Sequence, residues 1–181
     1  DLIKDRHFMP AFEQGMAAAQ REVSAIAAST EAATFENTLV ALERSGRLLG
    51  RVERFFSGLT GTLTNPELQT IQRTLSPLLA AHADAIRLNP ALFAKIEFLF
   101  QARATLALDA ESDRLLWRYH QDFVRAGAKL PQAEQAKLRA LNGELATLQT
   151  QFSQNVLKER DGAGVFVASR EELAGLNPVE I

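Results

Sequence analysis

An all-α fold is what this 181-residue sequence predicts, and three observations predict it. Apolar residues recur at spacings of three and four through most of the chain, the period of one face of a helix. Asn65-Pro66 and Asn89-Pro90 open two of these stretches as helix starts should, with Asn capping and Pro at the first helical position. A single short segment, Val165-Phe166-Val167, is β-prone. The expected architecture is a bundle of about six amphipathic helices in antiparallel-leaning pairs, with that one β-prone segment near the C-terminus.

The first helix is carried by Phe8, Phe12, Met16, Ala19, Val23 and Ile26, with Pro10 in or near its first turn, where a missing N–H costs little. Residues 29–33 connect it to the most patterned stretch of the chain. There Thr34 is placed to cap a helix, and Phe35, Leu42, Leu49, Phe56 and Leu63 recur every seven residues, with Val52 and Leu59 in the neighbouring row. Arg44, Arg47, Arg51 and Arg54 fall opposite that seam. Gly46 and Gly50 interrupt it at a cost of about 1 kcal/mol each relative to Ala, so a weak point is expected near Gly46 and an end between Ser57 and Thr64. They read as packing or bending glycines rather than ligand contacts.

From Asn65-Pro66 a third helix follows, with Leu68, Ile71, Leu75, Leu79, His82 and Ile86 as its apolar stripe and a kink expected at Pro77. Asn89-Pro90 begins the fourth, with Phe93, Ile96, Phe100 and Leu106 inward. Asp109 caps the fifth, whose apolar side is Leu115, Leu116, Tyr119 and Phe123, and Gly127 stands where a C-terminal glycine belongs. Pro131 starts the longest helix, expected to reach about Glu159, with Leu138, Leu141, Leu145, Leu148 and Phe152 as its seam. Asp161 to Gly164 then reads as a turn, and Ser169 to Leu173 as a short capped helix. The domain division expected is 1–160 for a helical domain, and 161–181 for a turn, a short strand and the start of a following region. The sequence stops soon after Asn177-Pro178, as if cut mid-protein.

Composition narrows the function classes. A net charge of −2 gives no global attraction for nucleic acid or an anionic membrane, so neither is expected as a partner. The absence of cysteine removes disulfides, thiolate nucleophiles and cysteine zinc sites. No apolar run approaches the roughly 20 residues of a membrane span.

The three histidines, His7, His82 and His120, have no partner at helical ligand spacing, and no His-Glu-x-x-His, phosphate loop or Gly-x-Ser-x-Gly occurs. His82 lies on an apolar stripe and reads as a core histidine. His120, beside Tyr119, reads as a partly exposed polar contact. The arginine row is diluted by Glu43 and Glu53 and reads as a solvated face, with phosphate or peptide-carboxylate binding as the alternative. Trp117 and the phenylalanines sit at helical spacing, as core residues do rather than a base-stacking platform. No catalytic or metal residue is assigned, and substrate-binding residues stay unknown.

Several stretches carry a resemblance. They are Phe8-Met9-Pro10-Ala11-Phe12-Glu13-Gln14-Gly15-Met16, Thr34-Phe35-Glu36-Asn37-Thr38 and Ala41-Leu42-Glu43-Arg44-Ser45-Gly46. They continue with His82-Ala83-Asp84-Ala85-Ile86, Leu108-Asp109-Ala110-Glu111-Ser112, Phe123-Val124-Arg125-Ala126-Gly127-Ala128 and Leu141-Asn142-Gly143-Glu144-Leu145. In this order they resemble the N-terminal region of bacterial peptidases of the thimet-oligopeptidase family, zinc metallopeptidases that include peptidyl-dipeptidases and oligopeptidase A.

The resemblance implies a parent enzyme shaped as a helical clam, with zinc held by a His-Glu-x-x-His helix and a more distant Glu. All those residues lie downstream of the region matched here. It therefore implies a channel-wall part of an enzyme that removes C-terminal dipeptides from short peptides, inactive on its own and without a cofactor. The implied partners are short peptides and the missing C-terminal catalytic part, with a homodimer of the piece as a further possibility. The implied location is the cytoplasm, with the periplasm as the alternative. The competing reading is a self-standing helical interaction module without enzymatic activity.

Overall fold

A computed structural model describes residues 2–164 and 167–177. These residues build the all-α bundle that the periodicity predicts, with α1 (Phe8–Ala28), α2 (Ala41–Arg44), α3 (Arg47–Thr62), α4 (Pro66–Arg87), α5 (Pro90–Gln101), α6 (Ala110–Arg125) and α7 (Gln132–Gly162). Among the described residues there is no strand. Val165 and Phe166, the heart of the β-prone segment, lie outside the described residues, as does Pro178.

α1 is the hub. It packs on α3, α4 and α5, while α6 lies on α5 and α7 on α4. Phe8 and Phe12 from α1 meet Leu49, Phe56, Leu68, Ile71 and Leu75 in one buried cluster. The Phe12 and Phe56 rings meet edge-on at 85° with centroids 5.3 Å apart, a favoured aromatic geometry. A second cluster joins Val23, Leu42, Leu92, Ile96 and Phe123, and a third joins Leu39, Leu99 and Leu116.

The long patterned stretch is divided. Thr34 caps it as expected: its Oγ1 accepts the Asn37 N–H at 3.0 Å while Asn37 Oδ1 accepts the Thr34 N–H at 2.8 Å. A wide, π-type turn over Phe35–Val40 follows, and the Ala41 N–H reaches back to the Glu36 carbonyl. The break falls at Gly46, whose φ of +67° lies in the left-handed region that favours glycine. Its freed N–H donates to Glu22 Oε2 on α1 at 2.7 Å, so the joint is fastened to the hub. Leu42, Leu49 and Phe56 are buried as the seam predicts, but Leu63 is not, because α3 ends at Thr62 and the chain turns away.

Asn65 and Asn89 cap α4 and α5 through Oδ1, accepting the N–H of Leu68 at 2.8 Å and of Leu92 at 3.0 Å. α4 continues through Pro77 to Arg87. On α5 the deepest residues are Leu92, Ile96 and Leu99, with Phe93 and Phe100 only partly covered. The inward face is thus rotated by about one residue from the expected one. Gly127 ends α6 with φ +97°, and the Ala128 N–H reaches the Phe123 carbonyl at 3.0 Å, closing the turn expected of a C-terminal glycine.

The largest departure is α7. Leu141, Leu145, Leu148 and Phe152, read as its seam, are more than half exposed, and Val156 nearly so. The face turned to α4 is polar instead. Asn142 Nδ2 donates to both carboxylate oxygens of buried Asp84, at 2.8 and 3.1 Å. Ser76 Oγ donates to the Ala146 carbonyl at 2.7 Å and accepts from Thr150 Oγ1 at 2.8 Å. Gln154 Nε2 donates to the Gln69 carbonyl at 2.9 Å, and its Oε1 accepts from Arg73 at 2.6 Å. Partners that climb α7 descend α4, so the two helices are antiparallel. Hydrogen bonding decided the face: buried Asp84 needs a donor, and Asn142 supplies it. The helix also runs to Gly162, past the expected end, and the short turn of 3-10 helix at Arg170–Leu173 has no side-chain cap from Ser169.

Candidate functional site

The histidines sit on three different elements. His7 is exposed just before α1, its Nδ1 accepting the Lys4 N–H at 3.1 Å. His82 lies half-buried on α4, where burial holds its pKa below the ordinary value of 6.5. His120 on α6 is 5% exposed, deeper than the sequence suggests. Its ring lies 3.8 Å from that of Phe100 at 5° between planes, so α5 covers it with an aromatic face.

The most developed polar cluster is built around His120. Its Nε2 lies 2.8 Å from Glu97 Oε2, and Gln121 Nε2 approaches its Nδ1 at 3.2 Å. An amide nitrogen only donates, so Nδ1 is the acceptor and Nε2 carries the proton given to Glu97. Lys129 approaches the same carboxylate at 3.2 Å from the turn after α6. Partial burial pushes the Glu97 carboxyl up, but hydrogen bonds from His120, Gln101 and Lys129 outweigh it and hold the pKa below the usual value. Both imidazole nitrogens are committed inside the bundle. The cluster fastens α5 to α6.

The other polar groups are engaged in the same way. Tyr119 O–H donates to Glu43 Oε1 at 2.6 Å, and burial first, then this bond, push the phenol well above its ordinary pKa. Arg44 pairs with Glu36 at 3.0 Å, and the Gly46 break separates it from Arg47, Arg51 and Arg54 on α3. All four arginines are exposed, as on a solvated face. Trp117 is half-covered, with the Arg114 guanidinium 4.0 Å from its ring centre.

A cleft of about 320 Å³ opens between α3, α4 and α7, lined by Phe56, Glu53, Thr60, Gln72, Ser76 and Thr150 among others. Glu53 is the one carboxyl there, and burial raises its pKa against a partial offset from Arg54. Three of the hydroxyls around it are bonded within the fold: Thr60 to the Phe56 carbonyl, Ser76 and Thr150 to each other and Ala146. Among the described residues no three His, Asp or Glu side chains gather where a metal ion could sit. No helix among them is long and apolar enough to cross a membrane.

Glu97 goes unremarked in the sequence, and Asp84 and Asn142 stand there only within the stretches that carry the resemblance. A signal for α7 exists in hindsight: Asn142, Thr150 and Gln154 recur at multiples of four residues, a polar stripe as regular as the leucine one.

Fold and site together define a helical bundle in which polar side chains such as His120–Glu97 and Asn142–Asp84 join one helix to another. The comparisons give it a place. Over all 181 residues the chain is 45% identical to a dipeptidyl carboxypeptidase of Escherichia coli (strain K12), covering 27% of that protein. It is equally similar, over the same span and the same share, to the dipeptidyl carboxypeptidase of Salmonella typhimurium. An oligopeptidase A of Salmonella typhimurium is 25% identical over 174 residues, which is 96% of this chain and 26% of that protein. No family model matches the chain. The chain is thus similar, along its whole length, to the N-terminal part of these peptidases and spans about a quarter of their length, as the resemblance in its motifs implies.

Proposed function

We propose that this chain is the N-terminal helical part of a zinc metallopeptidase that removes C-terminal dipeptides from short peptides. The observation that carries the reading is the 45% identity, unbroken over the whole chain, to a dipeptidyl carboxypeptidase. In this reading residues 1–160 are a wall of the substrate channel and 161–181 lead into the following region. The wall limits substrates to short, unfolded peptides by steric enclosure. The zinc ligands and the general base belong to the remainder of the polypeptide, and no residue of this chain is given a catalytic or metal role. The working compartment of the parent is the cytoplasm.

Three contacts are those of a packed wall, which is what supports the scaffolding reading. The buried clusters gather around α1, the His120–Glu97 pair joins α5 to α6, and the Asn142–Asp84 pair joins α4 to α7. The test compares the polypeptide as its gene encodes it with the 181-residue chain alone, on a short peptide with a free C-terminus. The expected result is release of the C-terminal dipeptide by the longer protein, abolished by a zinc chelator, and no release by the chain alone. Cleavage by the 181-residue chain, or chelator-resistant cleavage by the longer protein, refutes the proposal.

A further inference from the structure

We infer that the apolar stripe of α7 is a docking face for the part of the polypeptide that follows residue 181. The inference rests on the reading above, that this chain is the N-terminal portion of a longer one. Leu141, Leu145, Leu148, Phe152 and Val156 follow the helical period along one side of α7 and are 43–70% exposed. At roughly 150–250 Å² for each large apolar side chain, they present on the order of 500 Å² in one strip. Isolated exposed leucines are ordinary, but a strip of that size marks an interaction face.

The charge pattern points the same way. Residues 140–157 contain one charged side chain, Glu144. A helix that faces water along its length normally carries charges there. Here little would have to be desolvated when a partner covers the strip, as at the core of an interface.

The occupant follows from size and length. A stable association between separate proteins buries about 800 Å² on each partner, more than this strip offers. A segment of the same chain needs less, because the tether supplies a high effective concentration. The relatives have such a segment to offer: the dipeptidyl carboxypeptidases match this chain over only 27% of their length. α7 is also the last long helix of the described residues, so it is the long helix nearest in sequence to whatever follows. α4 holds the polar side of α7, and the apolar side is left for the following region.

Thiol labelling tests this, with the label located by peptide mapping to the introduced position; residues 1–181 bring no cysteine of their own. In the polypeptide as the gene encodes it, single Leu148→Cys and Lys137→Cys variants are compared for their rate of reaction with a maleimide. Lys137 is 70% exposed and serves as the open reference on the same helix. Phe152→Cys gives a second position in the strip should Leu148→Cys be poorly folded. The expected result is labelling at Leu148→Cys and Phe152→Cys at least tenfold slower than at Lys137→Cys, unchanged on dilution. Equal rates overturn the inference. Protection that disappears on dilution also overturns it, because a second copy is then the occupant. Peptidase activity is a separate readout: a protected strip in a polypeptide that cleaves nothing supports the docking face and refutes the function, and a freely labelled strip in an active peptidase does the reverse.

Discussion

Truncating a leucine on α6 and one on α7 should have very different consequences. Leu116 is fully buried against Leu39 and Leu99. Leu116→Ala removes apolar carbon worth about 0.8 kcal/mol per methylene, so about 2 kcal/mol in transfer free energy. A residual cavity adds about 24 cal/mol per Å³, which brings the expected loss to about 2–5 kcal/mol. Leu145 is about half exposed in this chain. Leu145→Ala forfeits at most half of the transfer contribution and opens no closed cavity, so about 1 kcal/mol or less is expected. Urea unfolding of the 181-residue chain, followed by far-UV circular dichroism and by fluorescence of the single Trp117, measures both. The slopes should match wild type so that midpoints alone report stability. Equal losses at the two positions would refute the outward placement of the leucine stripe.

Further outcomes follow from particular contacts. Gly46→Ala should destabilise by about 1–2 kcal/mol, because alanine is forced into a left-handed conformation at φ +67°; calorimetry measures the drop. Asn142→Ala should cost about 1.5–3 kcal/mol by leaving Asp84 buried without its donor, and a double-mutant cycle with Asp84→Asn should show coupling between them. Because the folded pKa of Glu97 lies below 4.5, its contribution to stability is complete above that pH and is lost as pH falls through the folded value. Glu97→Gln should flatten that part of the acid limb of the urea midpoint against pH. Asn89→Ala should cost about 1 kcal/mol by uncapping α5, seen as an earlier thermal transition.

The helices and their starts were legible because their signals are local. Asn65-Pro66 and Asn89-Pro90 each cap a helix through the expected amide oxygen, and Gly127 closes α6. The joint at Gly46 was legible as a weak point, but not the wide turn before it nor the bond to Glu22, because both depend on where α1 lies. The face of α7 was misread for a physical reason. Hydrophobic periodicity reveals which side of a helix seeks cover, not which partner is present to give it. Within these 181 residues the available partner is α4, whose buried Asp84 favours the polar side. His120 was misplaced in depth because the Phe100 ring that covers it comes from another helix.

The seam between α4 and α7 is sewn with hydroxyls and amides at Ser76, Asn142, Thr150 and Gln154, groups that water satisfies nearly as well. Such a seam gives little hydrophobic resistance to opening. Among the packed helices the long one is therefore expected to open at a lower free energy than the aromatic and leucine clusters around α1. In native-state hydrogen exchange its amides form a separate, earlier-exchanging group than those of α1 and α5. Among the long helices, a protease added to the folded chain is expected to cut first between Gln132 and Gly162.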